Sequence, residues 1–298
     1  MYFGSVRFFK HLIVVVVLSL IFGLAISTIY LTILNHDLRR LISELKVEAS
    51  AVPAQSNAEE EQGQYNEPSI VYQELYPEMF VEPAEAVTIE PYTVYLTFDD
   101  GPSARTAEIL DILKEKSIKA TFFIIGKEGE KEKELMRRIV NEGHSLGIHT
   151  YSHVYDNIYS SVESYLADFN QIYQLIYEAT GVKAEIFRFP GGSINQYNSI
   201  IYEEIIAEMK RRGFTYYDWN ASSGDAVSNA TANSVYANSV RTAKDKNRVI
   251  LLMHDSSGKA CTVAALPDII RYFEEKSLQF DRITKDVSPI TFNYINYK

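Results

Sequence analysis

Cysteine is nearly absent: Cys261 is the one thiol in 298 residues. That excludes an internal disulfide framework and a zinc site built on cysteines. Neither G-x-G-x-x-G nor G-x-x-x-x-G-K occurs, so the glycine-rich phosphate cradles of nucleotide-binding folds are missing. No stripe of Lys and Arg runs along the chain, which argues against nucleic acid as a partner. Basic residues are missing altogether from residues 47–91, where ten glutamates carry a charge equal to the whole formal net charge of -10. Residues 1–46 come to about +3 and residues 92–298 to about -3. The C-terminal part is therefore near neutral and suits a neutral or mixed-charge substrate. With 46% hydrophobic and 12% aromatic residues, there is ample material for a core.

Four regions follow one another. Residues 1–11 are a short tail, and residues 12–34 (LIVVVVLSLIFGLAISTIYLTIL) are 23 uncharged residues. As a helix they would span roughly 34 Å, enough to cross a bilayer with some tilt. A cleaved signal peptide has a shorter apolar region and needs a small-residue cleavage site, which is not evident here. The segment thus reads as a single-pass anchor. Arg7 and Lys10 precede it and Arg39, Arg40 and Lys46 follow it, so charge does not decide its orientation. Residues 35–91 read as an acidic stalk, in which 69–83 (SIVYQELYPEMFVEP) are apolar enough to be a docking candidate.

From residue 92 to 298 the pattern changes to alternating strands and helices. Strand-like runs lie at 92–98, 119–126, 144–149, 185–189, 214–219 and 248–254, with helical patterns at 104–116, 130–142, 161–180, 199–212 and 262–277. Such alternation predicts an α/β fold with parallel strands, as a distorted or incomplete (β/α) barrel. A doubly wound open sheet is the structural alternative. The chemically unusual clusters fall at the C-terminal ends of the strands: DD (99–100), HTYSH (149–153), RFPGGS (188–193), DWN (218–220) and MHD (253–255). In a (β/α) barrel those ends share one face, where active sites are built.

His149 and His153 stand four residues apart and project the same way from a helix or tight turn, a spacing able to grip one cation. Asp99 and Asp100 would repel each other at a strand end unless something positive lies between them. Two histidines and one aspartate make a common open divalent site, and the second aspartate is then left charged for other work. Gly101-Pro102 ends the ladder, and Ser103 is placed to cap the next helix.

TFDDGPS, HTYSH, RFPGGS, DWN and LLMHD, in that order, resemble the five motifs of the polysaccharide deacetylase family, the NodB-homology domain of carbohydrate esterase family 4. The resemblance covers roughly residues 92–283. It implies that Asp100, His149 and His153 hold a divalent metal (zinc first, with cobalt or nickel compatible with the same set), that Asp99 is the general base, and that His254 is the general acid. It further implies that Arg188 orients the base, and that Asp218 steadies a cation, either Arg188 or protonated His254. Pro190, Gly191 and Gly192 would form a loop whose backbone N–H faces the oxyanion. Trp219 would wall the pocket and Leu252 floor it. Asn195 and Asn220 are further candidates to touch sugar. Gly191 departs from the pattern, since many members carry an aromatic residue there.

The implied activity is metal-dependent hydrolysis of N-acetyl groups on N-acetylhexosamine residues of a cell-surface polysaccharide, peptidoglycan first. Anchor and stalk would hold the domain outside a bacterial membrane. The alternatives are an O-acetyl esterase on xylan or another acetylated glycan, and a non-catalytic tethered glycan-binding module.

Overall fold

In the computed structural model the described residues are 71–292, with Ile13 besides. The expected anchor and the stalk up to residue 70 lie outside them, and among the described residues no helix is long and apolar enough to cross a membrane. Among the described residues eight strands alternate with helices: β1 Thr93–Asp99, α1 Ala104–Lys116, β2 Thr121–Ile124, α2 Glu130–Asn141, β3 Ser145–Ile148, the single turn α3 Tyr155–Ile158, α4 Val162–Thr180 and β4 Ile186–Phe187. Then come α5 Tyr202–Arg211, β5 Thr215–Tyr216, β6 Ala221–Ser222, α6 Ala232–Ala243, β7 Arg248–His254, α7 Ala260–Glu275 and β8 Gln279–Asp281.

All paired strands run parallel, in the order β5-β4-β3-β2-β1-β7-β6. Among the described residues β5 and β6 are not paired with each other, so the barrel is incomplete, as the alternation of elements predicts. Strand β1 has the most partners, pairing with β7 along its whole length. The upper half of β1 pairs with β2 and the lower half with β8.

The period-two rule sorts the side chains of β1. Val94, Leu96 and Phe98 join the large core between sheet and helices. Tyr95 points the other way, into a second cluster with Phe123, Ile186, Tyr217 and Ile250, which fills the barrel interior together with Ile283 and Val287 from beyond β8. Thr97 and Asp99 continue that inward row upward. Their polar atoms therefore arrive inside the barrel mouth because of register alone.

Helix α1 begins as expected: Ser103 Oγ accepts from the N–H of Arg105, and Thr106 Oγ1 accepts from the N–H of Ser103, a reciprocal cap. The compact unit starts earlier than residue 92, because residues 71–83 dock on the end of α5. Buried Arg212 donates to the carbonyls of Tyr76 (3.0 Å), Leu75 (2.7 Å) and Tyr72 (3.2 Å), and the Val81 N–H returns to the Arg212 carbonyl (3.0 Å). Met79 of this segment is fully buried. Strand β6, helix α6 and strand β8 have no counterpart in the sequence pattern. Helix α6 (ANSVYANSVRTA) buries only Val235, Ser239 and Ala243, too sparse an apolar stripe to announce a helix.

Candidate active site

Asp99 is the last residue of β1 and sits level with Phe123 of β2 and His254 of β7. At Asp100 the backbone turns to a φ of 74°, a left-handed conformation that breaks strand alternation, so both neighbouring carboxylates serve the barrel mouth. The turn at Asp100 itself, rather than the Gly-Pro behind it, makes this reversal. His149 follows β3, and the loop after it carries positive φ at Thr150 (71°) and His153 (55°). Backbone in this sparsely populated region persists only where surroundings hold it. Here the buried Asp168 of α4 does so: its carboxylate accepts the N–H groups of Tyr151 (2.5 Å) and Ser152 (3.0 Å).

The loop brings His153 Nε2 to 3.4 Å and His149 Nε2 to 3.7 Å from Asp100 Oδ1. One ligand atom from each of the three residues lies within 4.8 Å of the others. Two further observations fit this trio to a cation. Asp100 Oδ1 is buried and has no hydrogen-bond partner among the described residues. His149 Nδ1 is held by the Arg188 carbonyl at 2.8 Å, which turns Nε2 toward the trio, and burial lowers the His149 pKa to about 3, leaving a neutral imidazole.

Arg188 is completely buried, and each end of its guanidinium is satisfied. Nη1 donates to Asp99 Oδ1 (2.9 Å) and Thr97 Oγ1 (2.7 Å), Nε to the Tyr217 carbonyl (2.9 Å) and Nη2 to the Asp218 carbonyl (3.2 Å). The ring of Phe123 lies 4.3 Å from its central carbon. Asp99 is thus oriented through one oxygen, while Oδ2 stays 3.8 Å from His149 Nε2. Burial raises the Asp99 pKa, and the Arg188 charge offsets only part of that.

The aspartate facing His254 is not Asp218. The Asp218 carboxylate accepts from the Ser193 N–H (2.8 Å) and hydroxyl (2.5 Å) and from the Phe292 N–H (2.7 Å). It hydrogen-bonds to neither Arg188 nor His254; only its backbone carbonyl reaches Arg188. Its work is to staple the 190–193 loop to the C-terminal segment.

Asp225, just beyond β6, is the acid at His254: its Oδ1 lies 2.7 Å from Nδ1, and its Oδ2 accepts the His254 N–H at 2.7 Å. Burial alone lowers the His254 pKa, but the hydrogen bond and charge of Asp225 overcome it and lift it to about 9. Between β5 and α6 the sequence holds two acids, Asp218 and Asp225, and nothing in their spacing says which one folds over β7.

The other expected residues divide in the same way. Leu252 is buried one pleat below His254 and opposite Thr97. Trp219 stands half-buried, edge-to-face with Phe292 at 4.8 Å. The Pro190 carbonyl is fixed by the Tyr159 hydroxyl (2.7 Å) and by Asn195 Nδ2 (3.1 Å). The Gly192 N–H turns inward to the Phe189 carbonyl, so the N–H of the loop without a partner among the described residues is that of Gly191. Asn195 braces the loop. Asn220 bridges the Arg248 carbonyl and the Ile250 N–H, far down β7, and is structural.

An aspartate paired with arginine, a trio fit for a cation and a histidine paired with aspartate thus share one barrel mouth. The polysaccharide deacetylase family profile matches residues 86–216. A peptidoglycan-N-acetylglucosamine deacetylase of Bacillus cereus is 31% identical over 212 residues, covering 70% of this chain and 75% of that one. The chain belongs to the polysaccharide deacetylase family. The crystal structure of the catalytic domain of a peptidoglycan N-acetylglucosamine deacetylase from Eubacterium rectale superposes with a TM-score of 0.66 at 32% identity, covering 72% of this chain and 97% of that one. A bifunctional xylanase/deacetylase of Pseudobutyrivibrio xylanivorans is 32% identical over 197 residues, 64% of this chain and 30% of its own length. Within that family, this chain keeps the resemblance read from its five motifs, with Asp225 beside His254 in the place first given to Asp218.

Proposed function

We propose that the protein hydrolyses N-acetyl groups from N-acetylhexosamine residues of peptidoglycan with a bound divalent cation, zinc first. The observation that carries this reading is the alignment in one cleft of Asp99–Arg188, Asp100–His149–His153 and His254–Asp225. A cation held by Asp100, His149 and His153 supplies Lewis acidity to the acetyl carbonyl and to the attacking water. Asp99 takes the proton of that water at Oδ2, while Arg188 keeps Oδ1 fixed. The Gly191 N–H, with the Pro190 carbonyl behind it clamped, is the backbone donor for the developing oxyanion. His254 gives its Nε2 proton to the departing nitrogen, with Nδ1 tied to Asp225. The products are acetate and a free amine on the sugar.

A xylanase/deacetylase among the relatives raises a second reading, O-deacetylation of acetylxylan. An amide nitrogen leaves only once protonated, and an acid held protonated to about pH 9 answers that need more than an ester's does. The test is acetate release by the full-length, zinc-loaded protein from N-acetylated glycan strands, chitooligosaccharides and acetylxylan. Release from acetylxylan alone selects the esterase, and release from none of them favours a binding module.

The topology follows the same proposal. Residues 12–34 span the membrane once and the domain faces outward, where an insoluble wall polymer is reached. Cleavage of residues 71–292 by protease added to intact cells is the expected result; protection of the domain would reverse the orientation.

A further inference from the structure

The cleft floor at Gly191-Gly192 carries no side chains, and both residues adopt positive φ (76° and 89°), which L side chains rarely take. The two glycines back onto opposite aromatic groups. A Cβ on Gly192 would run into the ring of Phe292 and come within 3.3 Å of Trp219. A Cβ on Gly191 would lie 3.0 Å from Tyr155 Cε1 and 3.2 Å from its hydroxyl. The floor is therefore a bare strip of backbone between two aromatic walls.

The Trp219 wall is the one the sequence motifs indicate. The other is built by α3 and the loop after Asn195. Tyr155 stands edge-to-face on the metal-trio residue His153 at 5.4 Å and packs against Tyr197 at 4.8 Å. Tyr197 is 48% exposed. Its position is not accidental: Asn195 Oδ1 accepts the Tyr197 N–H at 2.8 Å, while Asn195 Nδ2 holds the carbonyls of Pro190 and Gly192 (3.1 Å each). One side chain thus fixes both the floor and this wall. The Tyr155 hydroxyl makes no hydrogen bond within the described residues and is not sealed from solvent.

An aromatic face with a free hydroxyl at its rim suits a pyranose ring, which presents axial C–H groups to a π-face and hydroxyls at its edge. We propose that Tyr155 and Tyr197 form a sugar-stacking wall. It binds the hexosamine ring next to the one being deacetylated and so sets the length of glycan preferred. This rests on the deacetylase reading for its substrate class, but the wall itself is defined by geometry alone.

The full-length protein and its Y155A, Y155F and Y197A variants are titrated with chitotetraose and with chitobiose, by calorimetry and by acetate release, and each is also titrated with zinc. The expected result is a roughly tenfold rise in the tetramer Kd and KM for Y155A and Y197A. Little change in kcat, a much smaller effect on the dimer, near-normal behaviour of Y155F and unchanged zinc affinity complete that expectation. Equal tetramer binding by Y155A, Y197A and the parent protein overturns the wall. A loss of zinc affinity in step with activity also overturns it, by making Tyr155 a support of His153. Parent protein that binds tetramer without releasing acetate overturns the deacetylase reading and leaves the wall standing. Parent protein that binds neither glycan overturns both.

Discussion

Two arginines are completely buried in this domain, each against a buried carboxylate, and they do opposite things. Arg212, at the end of α5, donates to Glu208 (2.7 Å) and to three carbonyls of the docked 71–83 segment. Glu208 is gripped by Arg211 as well, through both oxygens. Burial pushes the Glu208 pKa up, but hydrogen bonds from Arg211 and Arg212 outweigh it and hold the group below its ordinary value. Arg188, at the barrel mouth, gives Asp99 one hydrogen bond and leaves the other oxygen without a donor. There burial wins and the Asp99 pKa rises. A carboxylate saturated with donors is a fastener, whereas one held by a single oxygen keeps an acceptor for a proton. A buried arginine–carboxylate pair thus yields a clamp or a candidate base, depending on how many donors converge on the carboxylate.

The comparison breaks most visibly at Asp99. Asp99→Asn keeps the Arg188 contact but loses the proton acceptor, so kcat should fall roughly 10²- to 10⁴-fold with zinc affinity retained by calorimetry. Loss of zinc affinity instead would make Asp99 a ligand.

At the clamp the damage should be to folding. Arg212→Met strands the carbonyls of Tyr72, Leu75 and Tyr76 and removes one of the donors to Glu208, which Arg211 still holds, with an expected cost of about 3 to 5 kcal/mol. For a domain of this size that is a fall in Tm of roughly 6–15 °C, with kcat per folded molecule unchanged.

Asp225→Asn sharpens the contrast on the acid side. In the proposed mechanism His254 acts while protonated, so activity should hold up to about pH 9 and decline above it. Without the Asp225 charge, burial is opposed only by the charges of Asp99 and Asp100, and the alkaline limb should move down toward about pH 6.5, the ordinary histidine value. At pH 8 a loss on the order of 10² in kcat is expected, and an unmoved limb would assign the proton to another group.

The smallest effect is forecast at Asp168, which only braces the loop bearing His153. Asp168→Asn should weaken zinc binding about tenfold, measured by chelator competition, with much of kcat recovered at saturating metal.

Strands with long buried runs were legible in the sequence, as were helices with caps or clear stripes: α1 begins and ends where its pattern does. So were the candidate residues that the structure brings to one barrel mouth, Asp99, Asp100, His149, His153, Arg188 and His254. Elements lacking an apolar stripe were not, notably β6 and α6. Asp225 was hidden because an acid's partner is chosen across the sheet. Strand β6 pairs with β7 through Ala221 and Ser222, and that pairing lays the following loop over His254. Asp218 looked equivalent in sequence, yet the C-terminal segment claims its carboxylate.

By itself the sequence determined the alternation of strand and helix and which strand ends carry the clustered polar residues, because period and motif order are local properties; the choice of an incomplete barrel over an open sheet came with the strand order. Only the tertiary structure decided which carboxylate tunes His254, where the compact unit starts, and that Tyr155 closes the cleft beside Gly191. Those outcomes depend on contacts between residues far apart in the chain, where burial and the number of converging donors set each group's charge and role.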